Sequence, residues 1–102
     1  MNSYNKYTDL QINELVATRL KKKCLLTEES VLAYMDSGYR TFDPCNNPSD
    51  AMPIIIENEI SMIKSSCGWM CCHGSVGQVE HENLYRGAME LFLMMKDTEN
   101  NQ

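Results

Sequence analysis

The sequence predicts an α+β fold, with a mostly antiparallel sheet of about four strands packed by three helices in the order α-ββ-α-ββ-α. Three observations lead to this prediction. Residues 47–56 contain a helix-start signal followed by an apolar run. Residues 31–42 and 60–73 each resemble a hairpin, because strand-forming residues flank a turn that contains Gly. Residues 84–95 place apolar side chains at helical spacing.

The composition indicates one domain spanning residues 1–102, with residues 1–7 and 97–102 disordered because they are mostly polar. The chain has 43% hydrophobic and 23% charged residues, which is typical of a globular protein. Its net charge is −5, and its only basic run is Lys21-Lys22-Lys23. Nucleic-acid binding depends on clustered Lys and Arg, so a nucleic-acid partner is not expected.

The chain lacks the features of membrane and secreted proteins. No apolar run reaches the roughly 18–20 residues that cross a bilayer, and the first residues lack the apolar core of a signal peptide. Its cysteine count, five, is odd. These features predict a cytoplasmic protein with free thiols and no membrane contact.

The first helix is predicted from about Asp9 to Lys22. Thr8 and Gln11 have the spacing of a capping box, and apolar residues recur at helical spacing behind them. The pattern of residues 24–43 fits two secondary structures. The pattern around Gly38 favours a hairpin, because Val, Tyr and Phe prefer strands. The alternative is a short helix that starts at Thr27 and stops at Gly38.

The central helix begins with Asn47 as its cap and Pro48 in its first turn. Pro53 lies about five residues further on, where proline removes a backbone hydrogen bond. Two interpretations follow. The helix kinks at Pro53, or residues 48–52 form a separate turn and the main helix starts at Pro53. Asn58 is the expected left-handed stop residue.

A second hairpin is predicted from strands at 60–64 and 69–73, followed by a loop over 74–80. The last helix should begin near Asn83. Its side chains at 91–95 are apolar almost all round, so this helix is expected to be the central core element.

A candidate binding site lies at the turn before the central helix. Asp43, Asn46 and Asn47 could receive a polar or phosphate group at the helix N-terminus, or the Asn side chains could simply cap and turn the chain. Arg86 could pair with Glu82 or Glu90 at helical spacing, or it could face this turn and help bind an anion. Trp69 is either a core residue or an aromatic anchor for a partner.

The cluster of Cys67, Cys71, Cys72 and His73 does not have the spacing of a zinc knuckle. Cys71 and Cys72 would point to opposite faces of a strand, and so would Cys72 and His73. No metal, no cofactor and no catalytic residue is therefore expected, and the chain is predicted not to be an enzyme.

Three segments resemble the NinX-like family of small proteins from lambdoid phages and prophages. They are Cys-Asn-Asn-Pro-Ser-Asp-Ala at 45–51, Pro-Ile-Ile-Ile-Glu-Asn at 53–58 and Leu-Phe-Leu-Met-Met at 91–95. The family usually has Trp where this chain has Met52, and Pro where it has Leu84. The resemblance implies a phage accessory protein and implies no activity.

These features together predict a non-enzymatic phage accessory protein that binds a host protein in the host cytoplasm, where it blocks a defence or regulatory complex. The alternative is a protein that binds or sequesters a small ligand such as a signalling nucleotide, with Asn46, Trp69 and Arg86 around the pocket. The sequence leaves a homodimer open as well.

Overall fold

A computed structural model of the protein describes residues 2–100. A turn of 3-10 helix at Tyr4–Lys6 precedes three helices and six strands. The helices are α1 (Asp9–Arg19), α2 (Pro48–Glu57) and α3 (Leu84–Asn100). The strands are β1 (Cys24–Leu26), β2 (Val31–Met35), β3 (Gly38–Thr41), β4 (Ser61–Ser65), β5 (Gly68–His73) and β6 (Gly77–His81).

The strands form two antiparallel sheets of three. Sheet A has the order β1-β2-β3 and sheet B the order β4-β5-β6. In sheet A, Leu32 of β2 lies between Leu25 and Thr41, and Tyr34 pairs with Tyr39. Val31 and Ala33 alternate with these residues and are buried. One face of sheet A therefore packs on the core and the other faces outward.

Sheet B has its central strand, β5, against α3. Cys71 of β5 and Val79 of β6 are paired and buried, so this face of sheet B lies under the helix. Gly87 lies close to the sheet, because a Cβ at that position would lie 3.1 Å from the Cβ of His81. The missing side chain lets α3 pack directly on the sheet.

The helices separate the two sheets. α1 contacts sheet A on one side and α3 on the other, while α3 also contacts α2 and sheet B. The core consists of apolar side chains from all of these elements, with the largest share from α3. The prediction that the last helix is the central core element agrees with this arrangement.

The α+β class, the helix order and both hairpins agree with the prediction, but the single sheet of about four strands is wrong. The structure has six strands in two sheets. The prediction missed β1, which has only three residues, and assigned β6 to a loop. In β6 only Val79 is a buried apolar residue, so its sequence lacks the alternation that marks a strand.

The hairpin at 31–42 is confirmed, with the two-residue loop Asp36-Ser37 between β2 and β3. The alternative helix over 27–38 does not form. Asp36 has φ 55°, which Asp tolerates better than most residues. A two-residue hairpin loop commonly needs this left-handed conformation.

The helix ends differ slightly from their predicted positions. The capping box of Thr8 and Gln11 forms, but α1 ends at Arg19, since Lys21 adopts φ 59°. α2 runs through Pro53 without interruption, so the helix does not start there. The left-handed residue after α2 is Glu59, with φ 56°, and not Asn58. Asn58 instead donates its side-chain amide to the Ile54 carbonyl at 2.8 Å.

The disorder expected at 1–7 and 97–102 stays a prediction, and the structure assigns helical conformation to parts of both segments within residues 2–100. Tyr4–Lys6 forms its helical turn, and α3 continues to Asn100. Polar contacts join the first residues to α3. The Asn2 side-chain amide donates a hydrogen bond to Glu90 at 2.6 Å, and the Tyr4 hydroxyl donates one to Asp97. Residues 1, 101 and 102 lie outside the described part of the chain.

Candidate functional site

The turn from Asp43 to Asn47 connects sheet A to α2 through local hydrogen bonds. The amides of Asn46 and Asn47 both donate to the Asp43 carbonyl, at 3.1 and 2.8 Å. Asn47 then caps α2, because its side-chain oxygen accepts from the Ser49 amide at 3.0 Å. Asp50, in the first turn of α2, accepts from the Asp43 amide at 2.9 Å. The predicted capping role of Asn47 is therefore present.

Arg86 lies at the start of α3 and is almost completely buried. Its Nε donates to Glu90 Oε2 at 2.5 Å and its Nη1 to Asp9 Oδ1 at 2.6 Å. Its Nη2 donates to the carbonyls of Tyr7 and Tyr4, at 2.6 and 3.1 Å. Four of the five N–H donors of the guanidinium are thereby used inside the protein.

The ionisation of this cluster follows from its geometry. Burial by itself lowers the pKa of Arg86, but the hydrogen bonds to Asp9 and Glu90 outweigh burial and raise it. Burial likewise raises the pKa of Asp9, yet the hydrogen bonds from Arg86 and Asn46 hold that pKa below its usual value. The Arg86 cation and the Asp9 carboxylate therefore stay charged at neutral pH.

Asp9 joins Arg86 to the turn. Asn46 donates its side-chain amide to Asp9 Oδ2 at 3.1 Å, and Asp9 binds Arg86 through its other oxygen. Of the two interpretations of Arg86, the pair with Glu90 at helical spacing is present. Arg86 reaches the turn at 43–47 only through Asp9, which the prediction did not include.

Two asparagines that the prediction missed complete the network. Asn13, buried in α1, donates to Asp43 Oδ1 at 2.7 Å and accepts from the Cys45 amide at 3.1 Å. Asn83 donates to the Cys45 carbonyl at 2.8 Å and to Asn46 Oδ1 at 3.1 Å. An available signal was the place of Asn13 between Ile12 and Val16 on an apolar helix face, where a polar residue needs a buried partner.

This network ties α1, the turn and α3 together, and its groups bond mainly to one another. Beside it is a small pocket of about 180 Å³ whose lining includes Asp9, Glu29 and Asp43. No Lys or Arg contributes to the pocket lining. Carboxylates repel phosphate, so the pocket is poorly suited to an anionic ligand.

Trp69 lies apart from this network. It is half-buried on the face of β5 that also carries Cys71, and its neighbours across the sheet are Lys64 and His81. The Lys64 ammonium is 5.7 Å from the centre of the indole ring, which is within cation–π range. Among the described residues, no hydrogen bond joins Trp69 to Arg86 or to the turn at 43–47.

The five cysteines, all within residues 2–100, are free thiols. Burial raises the pKa of Cys71 to about 11 and also raises that of Cys45 well above its ordinary value. Both thiols therefore remain protonated at neutral pH and are weak nucleophiles. Within the described part of the chain, no three His, Cys, Asp or Glu side chains are arranged to hold a metal ion.

Within residues 2–100, apolar side chains form candidate binding surfaces at two places. The first, here called the α2 groove, is an open groove of about 460 Å³ between α2 and sheet A. Its apolar lining is Leu20, Met35, Phe42, Pro53 and Ile54. Ile56, one helical turn beyond Pro53, is 68% exposed and extends this apolar surface along α2.

The second is the outer face of sheet A, defined here by Leu25, Leu32, Tyr34 and Tyr39. Leu25 is 50% exposed, Tyr34 48% and Tyr39 40%. The two tyrosine rings pack edge to face, with centroids 5.3 Å apart. Exposed aromatic pairs of this kind are common at protein interfaces.

In residues 2–100, no helix is both long enough and apolar enough to span a bilayer. Neither a curated protein nor a solved structure matches the chain. A family model described as "Bacteriophage P22, NinX" matches residues 3–96, which is nearly the whole sequence. The match includes the N-terminal segment, the turn at 43–47 and most of α3. The chain therefore belongs to the bacteriophage P22 NinX family.

Proposed function

We propose that this phage accessory protein acts in the host cytoplasm by binding a host protein, and that it does so without catalysing a reaction. The α2 groove is the surface that receives the partner. The observation that carries the proposal is the groove itself: about 460 Å³ of open space, lined by five apolar and five polar or charged side chains. Phe42 and Ile54 are buried in its floor, whereas Pro53 at its edge and Ile56 beside it are exposed. Apolar side chains are costly to leave in water, so such a surface favours a partner that covers it.

The charges around the groove suit a polypeptide partner. Lys22 and Arg40 lie on the sheet A side, and Asp50 and Glu57 lie on the α2 side. A bound segment that carries both signs of charge would find a complement on each wall. The apolar floor would supply affinity and the charged rim would select orientation.

The buried chemistry supports a binding role over catalysis. Arg86 donates to four acceptors inside the protein and is shielded from solvent, so it has little capacity left for a substrate. The two cysteine thiols nearest the core have raised pKa values. The nucleotide alternative has less support, because carboxylates line the pocket beside Asn46.

Affinity purification from host lysate tests this proposal. Immobilised wild-type protein should retain one host protein in stoichiometric amount. Ile56→Asp should weaken that interaction at least about tenfold, since burying a carboxylate in an apolar contact is costly. The identified partner is then purified, and the affinities of the wild type and the variants are measured by calorimetry.

The matched control is Ile63→Asp on β4, because Ile63 is exposed to a similar degree, 51%, but lies on sheet B away from the groove. This variant should bind as the wild type does. If no host protein is retained, or if both substitutions weaken binding equally, the proposal is wrong. Calorimetry of the wild type with a panel of nucleotides tests the alternative, for which measurable heat would be required.

A further inference from the structure

The outer face of sheet A is distinct from the α2 groove, and its charges are arranged with opposite signs at its two ends. Tyr34 pairs with Lys23 through the hydrogen bond from the Tyr34 amide to the Lys23 carbonyl, 2.8 Å. Lys23 therefore extends the row of Tyr34 and Tyr39 at the end where β1 begins. Lys21 is two residues earlier and is also exposed.

Asp36 of the β2–β3 loop lies at this basic end and offsets one of the two lysine charges, whereas Arg40 pairs with the buried Ala33 and lies on the groove side of sheet A. The opposite end is acidic. Glu28 and Glu29 form the exposed tip of the turn between β1 and β2. This turn is fixed by Thr27, whose side-chain oxygen accepts from the amides of Glu29 and Ser30. The backbone that carries the two glutamates is thus fixed, while their side chains are exposed, that of Glu29 beside the pocket that also includes Asp43.

From this arrangement we infer that the outer face of sheet A is a homodimer interface. A two-fold axis lying between two stacked sheets, perpendicular to their strands, reverses the strand direction of the second copy. Leu25, Leu32, Tyr34 and Tyr39 of one chain then pack on the same four residues of the other, as an isologous interface requires. The Lys21 and Lys23 end of each chain lies over the Glu28 and Glu29 end of its partner.

The same face is less suited to the other two-fold arrangement. An axis parallel to the strands would place lysines over lysines and glutamates over glutamates, and such like-charge contacts oppose association. Charge complementarity therefore selects one orientation for a second copy. The basic end and the acidic end of this face each match the opposite end of an identical chain. A surface that associates with itself is expected to have this property.

The size of the face sets the expected strength. Three strands at about 4.8 Å spacing and five residues at about 3.4 Å each give a face of roughly 14 by 17 Å, about 240 Å². Stable dimers bury about 800 Å² per chain. The dimer should therefore be weak, with a dissociation constant of the order of micromolar or above, and its charged ends should make it weaken as salt is added.

Sedimentation equilibrium of the purified full-length chain, at concentrations up to about 1 mM, tests this inference. The wild type should show a reversible monomer–dimer equilibrium. Leu25→Ser and Tyr34→Ser should each weaken the dimer at least about tenfold. The matched control, Ile63→Ser on sheet B, should leave the equilibrium unchanged, since Ile63 is as exposed as Leu25.

Charge reversal tests the orientation. The variant Lys21→Glu/Lys23→Glu and the variant Glu28→Lys/Glu29→Lys should each be monomeric, because each homodimer would bring like charges together. A 1:1 mixture of the two should dimerise, because each contact then joins opposite charges. Circular dichroism checks that both variants are folded.

Three outcomes would overturn the inference: a wild-type chain that remains monomeric throughout this range, a dimer that Leu25→Ser and Tyr34→Ser leave intact, or two charge-reversed variants that do not associate when mixed. None of these outcomes bears on host-protein binding by the α2 groove, because the groove and this face share no substituted residue.

Discussion

Arg86 could have either a structural role or a ligand-binding role, and its contacts show which. Its position on α3 and its proximity to the turn at 43–47 match a ligand-binding arginine as well as an internal ion pair. The contacts decide between them, because Asp9, Glu90 and two backbone carbonyls already occupy its donors. Burying a cation stabilises a protein only when such partners offset its lost hydration.

Replacing Arg86 with Met should therefore destabilise the protein strongly. The substitution leaves the buried Glu90 without its cation, and breaking a buried pair in this way costs roughly 3–5 kcal/mol. Urea denaturation, with the free energy of unfolding extrapolated to water, measures the loss.

The control for Arg86→Met is Glu99→Gln, which removes the exposed pair between Glu99 and Lys96. An exposed pair contributes at most about 1 kcal/mol. Equal effects of the two substitutions would mean that Arg86 is not held by its internal partners and is available to a ligand.

Tyr4 makes the free energy of unfolding depend on pH in the alkaline range. Burial, followed by the hydrogen bond to Asp97 and its negative charge, raises the pKa of Tyr4 to about 12. An unfolded tyrosine ionises near pH 10. The folded state thus favours the neutral phenol, and this stabilisation is complete below pH 10 and is lost as the pH rises from about 10 to about 12.

Tyr4→Phe cannot ionise, so its free energy of unfolding should fall less steeply than that of the wild type over this pH range. Denaturation curves collected from pH 9 to pH 12 measure the two slopes. Parallel curves for the wild type and Tyr4→Phe would contradict the assignment.

At the level of elements, the local capping signals were the most reliable part of the sequence. Thr8 with Gln11, and Asn47 with Pro48, each place a side-chain acceptor beside free amides, and both caps form as predicted. These signals depend only on residues within one helical turn. The residue expected to end α2 was wrong. Glu59 adopts the left-handed conformation, although Asn58 would tolerate that conformation better.

The strands that the sequence missed have a common physical cause. β1 has three residues, and β6 contributes a single buried apolar side chain, Val79. Neither strand is specified by its own sequence; each is held by its pairing with a neighbour, β2 or β5. Tertiary context of this kind is invisible to a local pattern.

Pro53 gives a prediction at this scale. The residue lies in the middle of α2 and lacks the N–H that would bond to the Ser49 carbonyl. Pro53→Ala should restore this bond and stabilise the protein by about 1–2 kcal/mol, after allowing for the greater freedom of the unfolded chain. Thermal and urea denaturation measure the gain.

Ser49→Ala, at an exposed position in the first turn of α2, is the control for Pro53→Ala and should change stability by less than about 0.5 kcal/mol. If Pro53→Ala instead lowers stability, the contacts of the proline ring in the α2 groove contribute more than the missing hydrogen bond.

For the whole molecule, the division into two sheets follows from the helices between them. Because α1 and α3 fill the space between the hairpins, the strands cannot join edge to edge. Hydrophobic patterns predict that each hairpin buries one face, but not that two faces are covered by different helices. Asp43, Asn46 and Asn47 lie together because they are adjacent in sequence. Trp69 lies on the predicted hairpin of sheet B, and a local pattern does not determine how far that hairpin is from the turn.

The N-terminal segment closes this arrangement over the buried charges. Tyr4 and Tyr7 supply the carbonyls that bind Arg86, Asn2 binds Glu90, and the Tyr4 hydroxyl binds Asp97. The segment therefore serves as a clamp across α3, although it contains no long regular element.

Deleting residues 2–7 should consequently destabilise the whole molecule and not merely shorten it. The deletion exposes Arg86 Nη2 and removes one partner from Glu90, each a loss of about 1–3 kcal/mol for a charged buried group. Hydrogen exchange should quicken at the α3 amides around residues 86–90. The double substitution Asn5→Ala/Lys6→Ala keeps the backbone carbonyls and should retain wild-type exchange. Unchanged exchange and unfolding in the deletion variant would mean that water replaces the clamp at no cost, and that the order of this segment is a consequence of the fold and not one of its supports.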